Sequence, residues 1–196
     1  MSNSTWLEQE RAAQQERDAD YWERVNCHMP SDETRKRNNQ MLYIGIDPGK
    51  SGGIAYVYDD DATAAVAVKM PATDRDIWLA LCCHDEANTR VAIEKVGPSR
   101  GHDNGRQQGV SSAFRFGLNY GVLRGCLVAS GIPFDVVSPQ KWQREFGLVF
   151  PKAMGLTSTE KKNRHKAKAQ ELFPHLKITH AIADALLIAE WARRQK

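Results

Sequence analysis

Between Met41 and Lys69 the chain carries three short apolar runs separated by turn-forming residues, a spacing too tight for helices. Met41 to Ile46 runs into Asp47-Pro48-Gly49. Gly53 to Tyr58 follows, then the triplet Asp59-Asp60-Asp61, which suits a hairpin turn, then Ala64 to Lys69. After these three strands the pattern alternates. A helix capped by Thr73 is expected to Cys83, a strand over Arg90 to Val96, a long helix from about Val110 to Ala129, and a strand over Phe134 to Val137. The rest reads as helix: Pro139 to Phe146, Ser158 to Leu172 and Thr179 to Arg194. Three strands followed by helix, strand, helix and strand demand a mixed sheet with helices on its faces, an α/β architecture.

Residues 1–40 read differently. Positions 3–25 are rich in Gln, Glu, Arg and Ala with few apolar residues, and residues 30–40 have linker composition. The expected organisation is an N-terminal helical extension over 1–40 and a folded domain over 41–196. With 41% hydrophobic and 26% charged residues, the chain can bury a core, and no apolar run approaches the roughly 20 residues of a membrane span. The polar start lacks the apolar stretch of a signal peptide. Four cysteines without a CxxC pair argue against a disulfide framework or structural zinc. A soluble protein of a reducing compartment is expected: cytoplasmic, in a bacterium or phage-infected host, with an organellar origin left open. The charge is uneven. Residues 138–196 hold 12 Lys and Arg against 5 Asp and Glu, whereas the rest is mildly acidic, so a polyanionic partner, nucleic acid first, is indicated.

The segment Gly45-Ile46-Asp47-Pro48-Gly49-Lys50-Ser51 superficially suggests a phosphate-binding loop. The required first glycine is replaced by Ile44, and Pro48 interrupts the run of amides. What is left is a carboxylate closing an apolar strand, costly unless hydrated, paired or metal-bound, although Asp is also a common turn former. Glu94 closes Val91-Ala92-Ile93 in the same way. In the last helix, His180 and Asp184 are one turn apart on one face, amid Ala, Leu and Ile. Were that helix to cross the ends of the first and fourth strands, Asp47, Glu94, Asp184 and His180 would meet. Crowded carboxylates repel unless cations neutralise them, and an oxygen-rich set with one imidazole suits Mg²⁺, or Mn²⁺ in its place. Two such ions about 4 Å apart can drive phosphodiester hydrolysis.

The run Ile44-Gly45-Ile46-Asp47-Pro48-Gly49, the pair Ile93-Glu94 and the terminal Ala183-Asp184-Ala185-Leu186 resemble the RuvC-type Holliday junction resolvases. Ser138-Pro139 to Trp142 and Leu172-Phe173-Pro174 resemble the branch that holds phage and plant chloroplast resolvases. The resemblance spans about residues 41 to 194. It implies an RNase H-like, five-stranded mixed sheet and a homodimer that cuts four-way and other branched DNA. It also implies Asp47, Glu94 and Asp184 as ligands of two Mg²⁺ ions. The fourth ligand departs from the pattern. RuvC proteins of bacteria carry it three residues before the last Asp, here Ala181, and the phage and plant branch has an acidic residue four before, here His180. His180 is therefore expected as ligand or general base, with consequences for metal preference.

Lys161, Lys162, Arg164, Lys166 and Lys168 crowd one helix more densely than an amphipathic surface needs, and with Lys141 and Arg144 they are candidate phosphate contacts. Arg100, His102 and Arg106 stand in a polar loop after the Glu94 strand. Gly117, Gly121 and Gly125 fall on one face of the long helix, fitting either a dimer seam or close packing on the protein's own sheet. Trp142 is either a core aromatic or a base-stacking platform, the former being commoner. Cys82-Cys83-His84 has poor metal-ligand spacing. Two rival functions are an actin-like ATPase or sugar-kinase domain, which needs a second such domain, and a junction-binding module without catalysis.

Overall fold

A computed structural model describes residues 8–13, 15, 16, 19, 40–59, 64–82, 84–97 and 109–195. Most of the N-terminal extension, Cys83, and Arg100, His102 and Arg106 lie outside the described residues. Five strands form one sheet: β1 (Leu42–Asp47), β2 (Gly53–Tyr58), β3 (Val66–Lys69), β4 (Thr89–Glu94) and β5 (Phe134–Val137). The helices are α1 (Asp74–Cys82), α2 (Val110–Ala129), α3 (Pro139–Glu145), α4 (Ser158–Leu172) and α5 (His180–Arg194). Element order and type follow the sequence expectation, with ends shifted by one or two residues. The strand order is β3-β2-β1-β4-β5. β2 runs antiparallel to its neighbours β1 and β3, and β4 and β5 continue parallel to β1. This is the mixed five-stranded α/β sheet flanked by helices expected of an RNase H-like fold. Among the described residues no helix is long and apolar enough to cross a membrane.

Alternation along the strands builds two cores. Leu42, Ile44 and Ile46 of β1, Ile54, Tyr56 and Tyr58 of β2, and Val91 and Ile93 of β4 pack with α1 and α2. The intervening residues face the other way. Ala55, Val57 and Ala92 pack with Trp142 of α3 and with Ala185, Leu186, Ile188 and Ala189 of α5. Helix α5 crosses β1 at Gly45, where a side chain would run into the backbone of Ala185 and Ala189. Gly53 on β2 meets the Ala181 carbonyl in the same seam. Glycine on the sheet opposite alanine at every turn of the helix lets the two backbones touch, which sets how low α5 sits. Its far end is held by Glu190, only 2% exposed, which accepts from Arg193 and Arg194, while Arg193 Nη1 also donates to the Asp59 carbonyl at 3.3 Å.

The glycine row of α2 does not pack on the protein's own sheet, which overturns one of the two readings drawn from its spacing. Among the described residues a Cβ at Gly117, Gly121 or Gly125 would meet nothing within 4 Å, because α2 turns Leu123 and Leu127, on the opposite side, into the core. Val110, Phe114, Leu118 and Val128 are also exposed on this helix.

A candidate acidic site at the strand ends

Strand parity explains why two of the carboxylates meet. Asp47 has the same parity as Gly45 and Glu94 the same as Ala92, so both belong to the face that α5 covers. The parallel register pairs Ile46 with Ile93, and the next step along both strands brings Asp47 beside Glu94. Pro48 has no N–H to continue the ladder, so β1 ends there, and the Gly49 amide turns back to donate to Asp47 Oδ1 at 3.2 Å. Behind the carboxylate stands Gly52, where a Cβ would collide with Asp47. Asn119 of α2 donates to the Pro48 carbonyl at 2.9 Å and fixes the same turn from the other face. The third carboxylate, Asp184, comes from α5 one residue before the Ala185 contact with Gly45.

The three carboxylates interact electrostatically. Burial raises the Asp47 carboxyl to about 6, the charge of Asp184 pushes in the same direction, and the Gly49 amide and Lys162 oppose it. Burial raises Glu94 to about 7; a hydrogen bond from Trp142 opposes this, Asp47 and Asp184 add to it, and His165 opposes it. The charge of Asp184 thus makes both Asp47 and Glu94 harder to ionise, and that of Asp47 adds to the effect on Glu94.

The imidazole bonded to Asp184 is not that of His180. His180 is exposed, and its Nε2–H donates to Asn163 Oδ1 of α4 at 2.9 Å. The imidazole that touches Asp184 is His165, in the middle of α4, whose Nδ1–H donates to Asp184 Oδ1 at 2.8 Å. His165 is 8% exposed and lies edge-on to Trp142, with ring centroids 5.4 Å apart. Trp142 is fully buried, so of the two readings the core aromatic holds and a base-stacking platform does not. Its Nε1–H donates to Glu94 Oε1 at 2.9 Å. Sequence reasoning missed both roles. Five cations around His165 make α4 look like a solvated helix, and the signal that was there is the four-residue step from His165 to Ala169, the helix's two buried positions.

The donor chemistry of Asp47, Glu94 and Asp184 fits a hard divalent cation, since every contributed atom is a carboxylate oxygen and the crowded charge calls for one. Among the described residues no three His, Cys, Asp or Glu side chains stand grouped so that they could hold a metal ion. Asp47 accepts from the Gly49 amide, Glu94 from Trp142 and Asp184 from His165. Of the motif Cys82-Cys83-His84, Cys83 lies outside the described residues, while Cys82 and His84 belong to no such group, and His84 Nε2 pairs with the Ala80 carbonyl at 3.1 Å.

The chain is similar in fold to RuvC. Two solved structures, Thermus thermophilus RuvC in complex with Holliday junction substrate and Thermus thermophilus RuvC itself, match at 17% and 18% identity. Each match covers 79% of this chain and 96% of the other, with a TM-score of 0.49. No protein-family model matches the chain, and no curated protein sequence does.

The candidate phosphate contacts lie on α4 and α3. A capping box between Thr157 and Glu160 starts α4 and fixes its position. Lys161, Lys162 and Arg164 are exposed, Arg164 lying over the Phe150 ring at 5.0 Å. Lys166 is half-buried, and Lys168 is paired with Glu171 at 2.7 Å. On α3, Arg144 is exposed, and Lys141 sits over the Trp191 ring at 5.1 Å.

Proposed function

We propose that this protein is a divalent-metal-dependent endonuclease that cleaves branched DNA, four-way junctions first, as a homodimer. The observation that carries the proposal is the meeting of Asp47, Glu94 and Asp184, from β1, β4 and α5, beside a helix that presents Lys161, Lys162 and Arg164 outward. The sequence resemblance to the RuvC-type resolvases supports the same substrate. Asp47, Glu94 and Asp184 would hold Mg²⁺ or Mn²⁺, which when bound supplies Lewis acidity and an activated water. The chain's own part is to bind and orient. Lys161, Lys162 and Arg164 neutralise phosphates, Lys162 close enough to act on Asp47. Trp142 and the packed floor of the sheet exclude water beneath the carboxylates. The deciding experiment incubates the full chain with an end-labelled mobile four-way junction and Mg²⁺, with linear duplex as control. Symmetric, Mg²⁺-dependent cuts in the junction support the reading. Tight binding without cleavage in either Mg²⁺ or Mn²⁺ defeats it in favour of a catalytically silent junction binder.

For the dimer, the open glycine row of α2 is the proposed seam, with Phe114 and Leu118 lining the shallow apolar groove beside Gly117 and Gly121. Gly121→Leu should leave the fold intact, since a Cβ there meets no described atom within 4 Å and the change relieves a glycine that costs a helix about 1 kcal/mol. It should nevertheless hold a facing helix away from its packing distance of about 8–10 Å. Light scattering should then show monomers, and junction cutting should fall to uncoupled single nicks. A Gly121→Leu dimer of normal activity would remove α2 from the interface.

A further inference from the structure

Two of the three carboxylates are gripped from a second layer by one pair of packed rings. Trp142 of α3 donates to Glu94 at 2.9 Å, and His165 of α4 donates to Asp184 at 2.8 Å. The rings pack edge to face at 76°. We propose that His165 and Trp142 are positioning residues that act as one clasp, holding Asp184 and Glu94 so that their remaining oxygens serve a single divalent cation. The inference rests on the metal-dependent reading above and extends it to residues that reading does not need.

Three features set this pair apart from ordinary core filling. Indole N–H can only donate, so Trp142 offers Glu94 one fixed interaction and cannot itself become a ligand. Both rings are buried against the α5 side of the sheet, so neither can swing away without opening the core, and the carboxylate orientations inherit that rigidity. Packing alone would be met by Phe at 142 and an apolar residue at 165. An imidazole and an indole in these places each bring a polar atom inside, and each aims it at a carboxylate of the same site. Hydrogen bonds from outside the ligand set commonly fix how metal-binding side chains point, and their loss costs about 10–100-fold in metal affinity. The clasp also ties the site to its surroundings. His165 lies on the buried side of the helix whose exposed side carries Lys161, Lys162 and Arg164, so a phosphate held there and the Asp184 carboxylate are positioned by one rigid element.

The test measures Mn²⁺ binding to the full chain by electron paramagnetic resonance without DNA, and junction binding without metal. Trp142→Phe keeps the ring and removes the donor; His165→Ala removes both; His165→Asn restores a donor at the reach of Nδ1. Trp142→Phe and His165→Ala should each weaken Mn²⁺ binding about 10–100-fold, the scale of such second-layer losses. His165→Asn should recover most of that loss, and metal-free junction binding should stay at the wild-type level in all three. Mn²⁺ affinity unchanged in Trp142→Phe and His165→Ala, beside a wild type that binds the ion, overturns the clasp and leaves the nuclease reading standing. Loss on His180→Ala instead of His165→Ala does the same. Loss of metal-free junction binding in parallel with Mn²⁺ affinity would make the pair merely structural. A wild type that binds no Mn²⁺ defeats the nuclease reading and the clasp together.

Discussion

Asp47→Asn should abolish junction cleavage and, in the absence of metal, make the protein more stable above pH 7. The two effects have one cause. In the fold the Asp47 carboxyl is raised from 3.8 to about 6 by burial, reinforced by the charge of Asp184. Between those two values the folded chain binds more protons than the unfolded chain, so stability falls as pH rises through the window and stays low above it. Two units correspond to about 3 kcal/mol at about 1.4 kcal/mol per unit. Asparagine is neutral throughout and can still accept from the Gly49 amide, so about 1–3 kcal/mol of that penalty should vanish, the lower end allowing for its own buried amide. For a chain of this size each kcal/mol moves the melting temperature by about 2–4 °C. Cleavage should drop at least about a thousandfold, since a catalytic cation supplies several kcal/mol and each 1.4 kcal/mol is tenfold. Melting curves in EDTA at pH 5 and pH 8, beside cleavage assays in Mg²⁺, check both halves. An Asp47→Asn protein that is less stable at pH 8 and cuts normally would show that Asp47 belongs to the turn and not to a metal site.

Glu94 extends the same behaviour. Raised from 4.5 to about 7, mainly by burial, it keeps the metal-free site partly protonated at neutral pH. A cation must displace that proton, so apparent metal affinity should fall as pH drops from 8 to 6. A site that is uncomfortable when empty is a reasonable consequence of placing three carboxylates on apolar strand ends.

How much of this was readable beforehand depended on whether the cause was local. Asp47 and Glu94 were legible because a charge closing an apolar run conflicts with its own neighbours, and that conflict is visible without knowing the partners. That the two share a face and stand side by side came from strand parity and the observed register. Asp184 was legible for the same reason, an acid amid Ala, Leu and Ile. His180 is a different case. A spacing of four puts two residues on one side of a helix, but a full turn of rise separates them. Asp184 points to the carboxylate end of the sheet, while His180, at the first helical position, reaches back to Asn163. His165 and Trp142 were hidden because their roles depend on how α3, α4 and α5 pack on one another, which no local pattern encodes. The glycine row likewise gave its periodicity, whereas which side of α2 faces the core was decided by Leu123 and Leu127.

Gly45→Ala should damage the fold and the site through one added methyl group. That methyl would fall on the Ala185 carbonyl oxygen and the Ala189 amide nitrogen, with the Ala189 Cα at 2.8 Å. All three are backbone atoms of α5, so no side chain can turn aside, and the helix itself must retreat. Overpacking a core usually costs about 1–3 kcal/mol, and a clash with helix backbone belongs at or above the upper end. The expected fall in melting temperature is therefore about 6 °C or more, at about 2–4 °C per kcal/mol. Because Asp184 immediately precedes the contact residue Ala185, the retreat lifts its carboxylate away from Asp47 and Glu94, and Mn²⁺ binding should weaken together with stability. Gly121→Ala, at an open position, is the matched control and should do neither. Truncating the opposite side chain in Gly45→Ala/Ala189→Gly should give no rescue, because the collision is with N and Cα rather than with the Ala189 methyl. Recovery in that double variant, or a Gly45→Ala protein of unchanged melting temperature and Mn²⁺ affinity, would mean that α5 does not lie on β1 backbone to backbone and that Asp184 reaches the strand ends by another path.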